Sequence, residues 1–237
     1  MRRLLVPGLM AVVCVSACGG GGSEATTSQS SPTPTSSTAA ALGGGQYAGV
    51  AVTASDVPSG FVADPPTAAV DSYNQVQATL QSRQFAPPQC GTVSAVTAAS
   101  APLGFEVSFA RNSTKESLGE FLAPAGNPSL TGLQSVARSC GAVTASDPAK
   151  SLQLGGGVVV VPAPHVAADR TLGLQTTTIA AVAGKPAVTT VSTTYLAETN
   201  GTLVSVSAKG GTGGQPVDPV LVTDLFTRAV DRVNSSR

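Results

Sequence analysis

The sequence predicts an α+β domain, an antiparallel β-sheet with helices packed on one face, preceded by a leader and a disordered tether. Three observations point there. The C-terminal half carries four β-branched, Thr-rich runs, at 158–161, 171–182, 187–197 and 202–208. Asn200-Gly201, the strongest hairpin signal in the chain, joins the last two. Beyond Asp218-Pro219 an amphipathic segment carries an apolar face broad enough to lie across a sheet.

Residues 1–17 read as a lipoprotein signal peptide. Arg2 and Arg3 supply the positive start, residues 4–15 the apolar run, and Ser16 and Ala17 the small residues before Cys18. The run is too short to cross about 30 Å of hydrocarbon. Cleavage before Cys18 and acylation of that cysteine would leave the mature chain lipid-anchored on the outer face of the cell membrane. An ordinary secretory signal with an accidental cysteine is the alternative. A single acyl chain, at about 0.8 kcal/mol per methylene, binds only marginally, so firm retention calls for a diacylglyceryl group plus an amide-linked chain. Residues 18–45 are Gly, Ser, Thr, Pro and Ala with little to bury, hence a tether reaching roughly 30 Å. Its Ser/Thr cluster around Pro32 and Pro34 reads either as an O-glycosylated stretch or as a plain linker.

The globular domain is expected over 46–237. Pro58 and Gly60 make a turn of residues 54–61 and send Phe61 into the core. Asp71 caps a helix running to about Gln84, with Tyr73, Val76 and Leu80 on one face. Pro87-Pro88 stops it and delivers Cys90 in a constrained loop. Residues 104–110 alternate as a strand, with Phe105, Val107 and Phe109 inward. The capping-box spacing of residues 113–116 predicts a short helix carrying Leu118, Phe121 and Leu122. A second helix starts at Ser129, carries Leu130, Leu133, Val136 and Ala137, and ends by Cys140 with Gly141 as a left-handed cap. After the strands, residues 210–214 form a flexible Gly-rich loop, and Asp218 with Pro219 opens the C-terminal helix.

Charge and motif narrow the chemistry. Losing the leader leaves 11 basic against 13 acidic side chains. That balance suits neither nucleic acid, which demands clustered Lys and Arg, nor a polybasic membrane patch. Cys90 and Cys140 are the cysteines left once Cys14 is removed and Cys18 acylated; a structural disulfide is expected. It would close a loop of about 50 residues, worth roughly 4 kcal/mol by chain entropy. A redox pair or metal ligands are the alternatives, but redox pairs favour CxxC and zinc four close ligands.

His165 is the sole histidine, and no GxSxG elbow accompanies it, so it reads as a loop residue and no Ser–His–Asp machinery is expected. Gly155-Gly156-Gly157 runs into valines, not Lys-Ser, and reads as a bulge or strand lead-in instead of a P-loop. The Gly-rich 210–214 loop fails the same test. Asn112, Asn200 and Asn234 sit in N-x-S/T triplets without implying glycosylation in a bacterial lipoprotein. The acidic residues, Glu106 and Asp169 among them, look scattered and solvated. No catalytic residue, metal or cofactor is expected, and the protein reads as a non-enzyme.

Several short motifs together resemble actinobacterial, chiefly mycobacterial, lipoproteins: the D-x-P-x-G-F turn at 56–61, Pro87-Pro88-Gln89-Cys90 with the later Cys140, Arg170-Thr171-Leu172, and the hairpin through Tyr195-Leu196, Asn200-Gly201 and Thr202-Leu203. The extracellular sensor domain of PknH-type serine/threonine kinases is similar in style. That resemblance spans about residues 47–235. It implies a disulfide-stabilised antiparallel sheet with helices, and a cleft for an unidentified ligand. This chain has one cysteine pair where those domains have two, and no tryptophan. Only the fold and the idea of ligand binding carry over, with no site residues beyond the cysteines. The expected function is a membrane-anchored, non-catalytic ligand-binding or sensor-like domain of the cell envelope, taking a lipid, glycan or envelope protein. An envelope lipid or glycolipid carrier and a hydrolase are the competing readings.

Overall fold

The structure, a computed structural model, describes residues 44–64, 78, 82–91, 104–126, 129–148, 151–211 and 213–236. The leader, Cys18 and nearly all of the tether lie outside these residues, as does most of the helix expected from Asp71. At the end of that stretch Gln84 already belongs to a strand.

Among the described residues nine antiparallel strands form one sheet: β1 Val62–Ala63, β2 Gln84–Ala86, β3 Phe105–Arg111, β4 Glu116–Pro124, β5 Val143–Asp147, β6 Leu152–Val161, β7 Arg170–Val182, β8 Val188–Thr199 and β9 Thr202–Lys209. Their order is β1-β3-β4-β9-β8-β7-β6-β5-β2. Among the described residues three α-helices accompany them, α1 Gly44–Val50, α2 Leu130–Arg138 and α3 Pro219–Ser235. This is the predicted α+β class, but the helices do not share one face as expected: α1 and α3 pack on one side of the sheet and α2 on the other.

The β8–β9 hairpin forms as its dipeptide dictates. Asn200 and Gly201 have φ of 54° and 71°, the pair of left-handed residues that a tight I′ turn requires. Asn234, at the end of α3, locks this turn: its Oδ1 accepts from Thr199 Oγ1 (2.7 Å) and Asn200 Nδ2 (2.9 Å), and its Nδ2 donates to the Ala167 carbonyl (2.8 Å).

One expected helix is a strand. Residues 112–115 make a turn, with Lys115 at φ 64°, and Glu116–Pro124 is β4, paired with β3 and β9 along its length. Glu116, read as the closing residue of a capping box, instead accepts from Arg111 (2.9 Å) and Thr114 Oγ1 (2.7 Å) across the hairpin base. The physical reason is burial on both faces: Leu118 and Leu122 face one side, Phe121 and Ala123 the other, so apolar residues fall at i, i+3 and i+4 within an extended chain. The left-handed cap expected at Gly141 is also absent. Ser139 ends α2 in right-handed geometry, its hydroxyl donating to the Val136 carbonyl (2.7 Å), which leaves Gly141 no capping role.

Strand register divides the core. Tyr195, Ala197, Val204 and Val206 pack with α1 and α3, notably Val222, Phe226 and Val230. Leu172, Leu174, Leu196 and Leu203 pack with Leu130, Leu133 and Ala137 of α2. Neighbours along a strand point oppositely, so α1 and α3 share one face while α2 covers part of the other. The Gly155–Gly157 triplet lies inside β6, where a Cβ on Gly156 would meet the Thr177 carbonyl and one on Gly157 that of Gly141.

Candidate functional site

The α2 face of the sheet carries a hydroxyl-rich field beside its leucines. Residues directly opposite in an antiparallel pair share a face. Thr176 lies opposite Ser192, Leu174 opposite Thr194, Thr194 opposite Ser207, and Leu196 opposite Ser205. On the far side of β9, Gly119 lies opposite Ser207 and Ser117 opposite Lys209. Thr176, Ser192, Thr194, Ser205, Ser207 and Ser117 therefore make one patch across four adjacent strands, β7, β8, β9 and β4. Most of these are half-buried, and Ser205 is nearly fully so. Threonine builds such a surface well because its branched Cβ suits the pleat while its hydroxyl stays available. Each hydroxyl offers one donor and two acceptor positions. The patch is thus dense in hydrogen-bonding capacity, carries one cation, Lys209, opposite Ser117 and Ser192, and is bordered by apolar ground.

The opposite face holds a charged cluster that sequence reading missed. Glu120, on β4, is 1% exposed, beneath the segment following α1. Its Oε2 accepts from the Val52 amide (2.7 Å); its Oε1 has no hydrogen-bond partner among the described residues. Burial pushes its carboxyl up to about 7, against the opposing pull of the Val52 N–H and Arg232 and with a small further push from Asp56. Arg232 of α3 donates to the Ala51 carbonyl (2.7 Å) and to Asp56 Oδ1 (2.7 Å), and Arg228 approaches the same Oδ1 at 3.7 Å. Burial alone would raise Asp56, but Thr53 N–H, Thr53 Oγ1 and Arg232 hold its carboxyl below the usual value. No local pattern marks Glu120, since its hydrogen-bond partner Val52 lies 68 residues away.

Other expected residues fall as follows. Cys90 and Cys140 form a disulfide with Cα atoms 5.5 Å apart, fastening the turn Pro88–Gly91 to the end of α2. His165 is exposed in the connection between β6 and β7. Among the described residues no three His, Cys, Asp or Glu side chains converge as a metal site would require. No described helix is long and apolar enough to cross a membrane. Phe61 is buried, and Arg111 lies over its ring at 4.2 Å.

A family model described as "Domain of unknown function (DUF5642)" matches residues 46–234. No curated protein matches the chain. Two solved structures are similar in fold. The extracellular domain of PknH from Mycobacterium tuberculosis has 13% identity and a TM-score of 0.49, over 83% of this chain and 98% of that one. A putative uncharacterized protein from Mycobacterium smegmatis has 18% identity and a TM-score of 0.42, over 76% and 93%. The extracellular domain to which the sequence motifs pointed is thus among the structural neighbours.

Proposed function

The chain belongs to the DUF5642 family, and we propose that it is a lipid-anchored, non-catalytic binding domain that works outside the cell membrane. The anchor is the acylated Cys18, and the outer side is supported by the Cys90–Cys140 bridge, since disulfides persist in oxidising compartments. The observation that carries the binding role is the hydroxyl field on β7, β8, β9 and β4. Its hydroxyls favour a neutral, polyhydroxylated ligand of the envelope, a glycan or glycolipid headgroup, over a nucleic acid.

Native mass spectrometry of the protein purified from its own host tests this. The expected result is a retained neutral polar species that is lost from a Thr176→Val/Thr194→Val double variant. Each hydroxyl bond contributes about 0.5–1.5 kcal/mol, so the pair should weaken binding roughly tenfold or more. A ligand held equally by both proteins, an acyl lipid without a sugar headgroup, or no ligand at all would each contradict the proposal.

A further inference from the structure

Residues 44–56 form an N-terminal arm, α1 and the turn after it, lying on the face shared with α3. It buries Tyr47, Ala51 and Val52 in the core. Three of its polar attachments converge at the segment after α1. Glu120 holds the Val52 amide from below, and Arg232 holds the Ala51 carbonyl and Asp56 from α3. Glu120 is a carboxyl group sealed from water, with one oxygen engaged by the arm and the other unengaged among the described residues. An ionised carboxylate in that position is costly, because burial removes its hydration and a single N–H replaces little of it. A neutral carboxyl avoids most of the cost. Lifting the arm would let water reach the group and remove the penalty.

We propose that Glu120 is a proton-sensitive latch, in which its protonation favours docking of the 44–56 arm and its ionisation favours release. This goes beyond the binding role and does not depend on it. Where Cys18 is the anchor, arm release lengthens the tether between membrane and domain.

The sign follows from linkage. With the arm docked the carboxyl is held near 7, and once exposed it returns toward 4.5, so the docked state binds the proton more tightly. Docking is most favourable below about pH 4.5, weakens as pH rises from there to about 7, and levels off above that. Charged groups facing the latch come from both packed elements, Asp56 from the arm and Arg232 from α3, with Arg228 reaching Asp56 one turn earlier. Asp56 acts in a separate window. Its depressed carboxyl supports docking above its ordinary value of 3.8 and loses that support only at lower pH. Tyr47, pushed up to about 12 by burial against a smaller effect of Thr202, stays neutral throughout.

Amide hydrogen exchange on the full chain, corrected for intrinsic pH dependence, tests the latch. Opening of residues 44–56 should be on the order of 100-fold more favourable at about pH 7.5 than at about pH 4.5. Protection in β8 should stay level, and Glu120→Gln should abolish the difference. The proposal is overturned if the wild-type arm shows no pH dependence, if β8 opens in parallel, or if Glu120→Gln retains the wild-type profile. Should that variant fail to fold, a carboxyl-carbon NMR titration of Glu120 in the wild type decides: a midpoint near 7 supports the latch, and one near 4.5 overturns it.

Discussion

Asn234 shows how much one side chain near the end of the chain can organise. It accepts from Thr199 and Asn200 and donates to Ala167, joining α3 to the β8–β9 turn and to the long β6–β7 connection. Asn234→Ala would remove these bonds and leave the Thr199 hydroxyl and the Ala167 carbonyl with the longer 3.5 Å contact between them. The expected loss is about 1–3 kcal/mol of stability, read as a lower urea midpoint with an unchanged slope. In the sequence this residue looked like one of three N-x-S/T triplets. Its role depends on where α3 ends relative to a turn 34 residues earlier, which no local pattern encodes. Glu120 was hidden for a related reason. A carboxylate among Leu118, Phe121 and Leu122 reads as the polar side of a helix, and only the sheet register reveals that it points into the core.

At the scale of elements, legibility followed how local the determining chemistry is. The β8–β9 hairpin and α3 were readable because a turn dipeptide and a cap act over two or three residues. Asp218 caps α3, its Oδ1 accepting from the Val220 amide (2.9 Å), and Pro219 takes the first turn. Asp218→Ala should cost about 1 kcal/mol, and amide exchange should show fraying confined to the first turn of α3. Loss of protection along the whole helix would instead mean that the cap holds α3 on the sheet. The helix α2 was also legible, from Ser129 as its N-cap through the buried positions Leu130, Leu133 and Ala137. The strand β4 was not, because a strand covered on both faces loses its period of two. The hydroxyl field sits between these cases. The Thr-rich runs announced strands, but which hydroxyls share a face depends on pairing between β4, β9, β8 and β7.

For the whole molecule, the register places helices on opposite sides of one sheet. The α1 and α3 side carries the arm and its latch; the α2 side carries the disulfide and the hydroxyl field. On the proposed reading, attachment and recognition would occupy different faces. The pairing of Cys90 with Cys140 was legible from the sequence, whereas the assignment of helices and hydroxyls to opposite faces needed the fold. The central claim, that a lipid-anchored domain works outside the membrane, is tested most directly by the intact mass of the protein purified from membranes of its own host. The predicted mass begins at Cys18 and includes a diacylglyceryl group with an amide-linked chain. It is also two hydrogens below the reduced value, for one disulfide. A mass that retains residues 1–17, or that begins at an unmodified Cys18, would contradict the account.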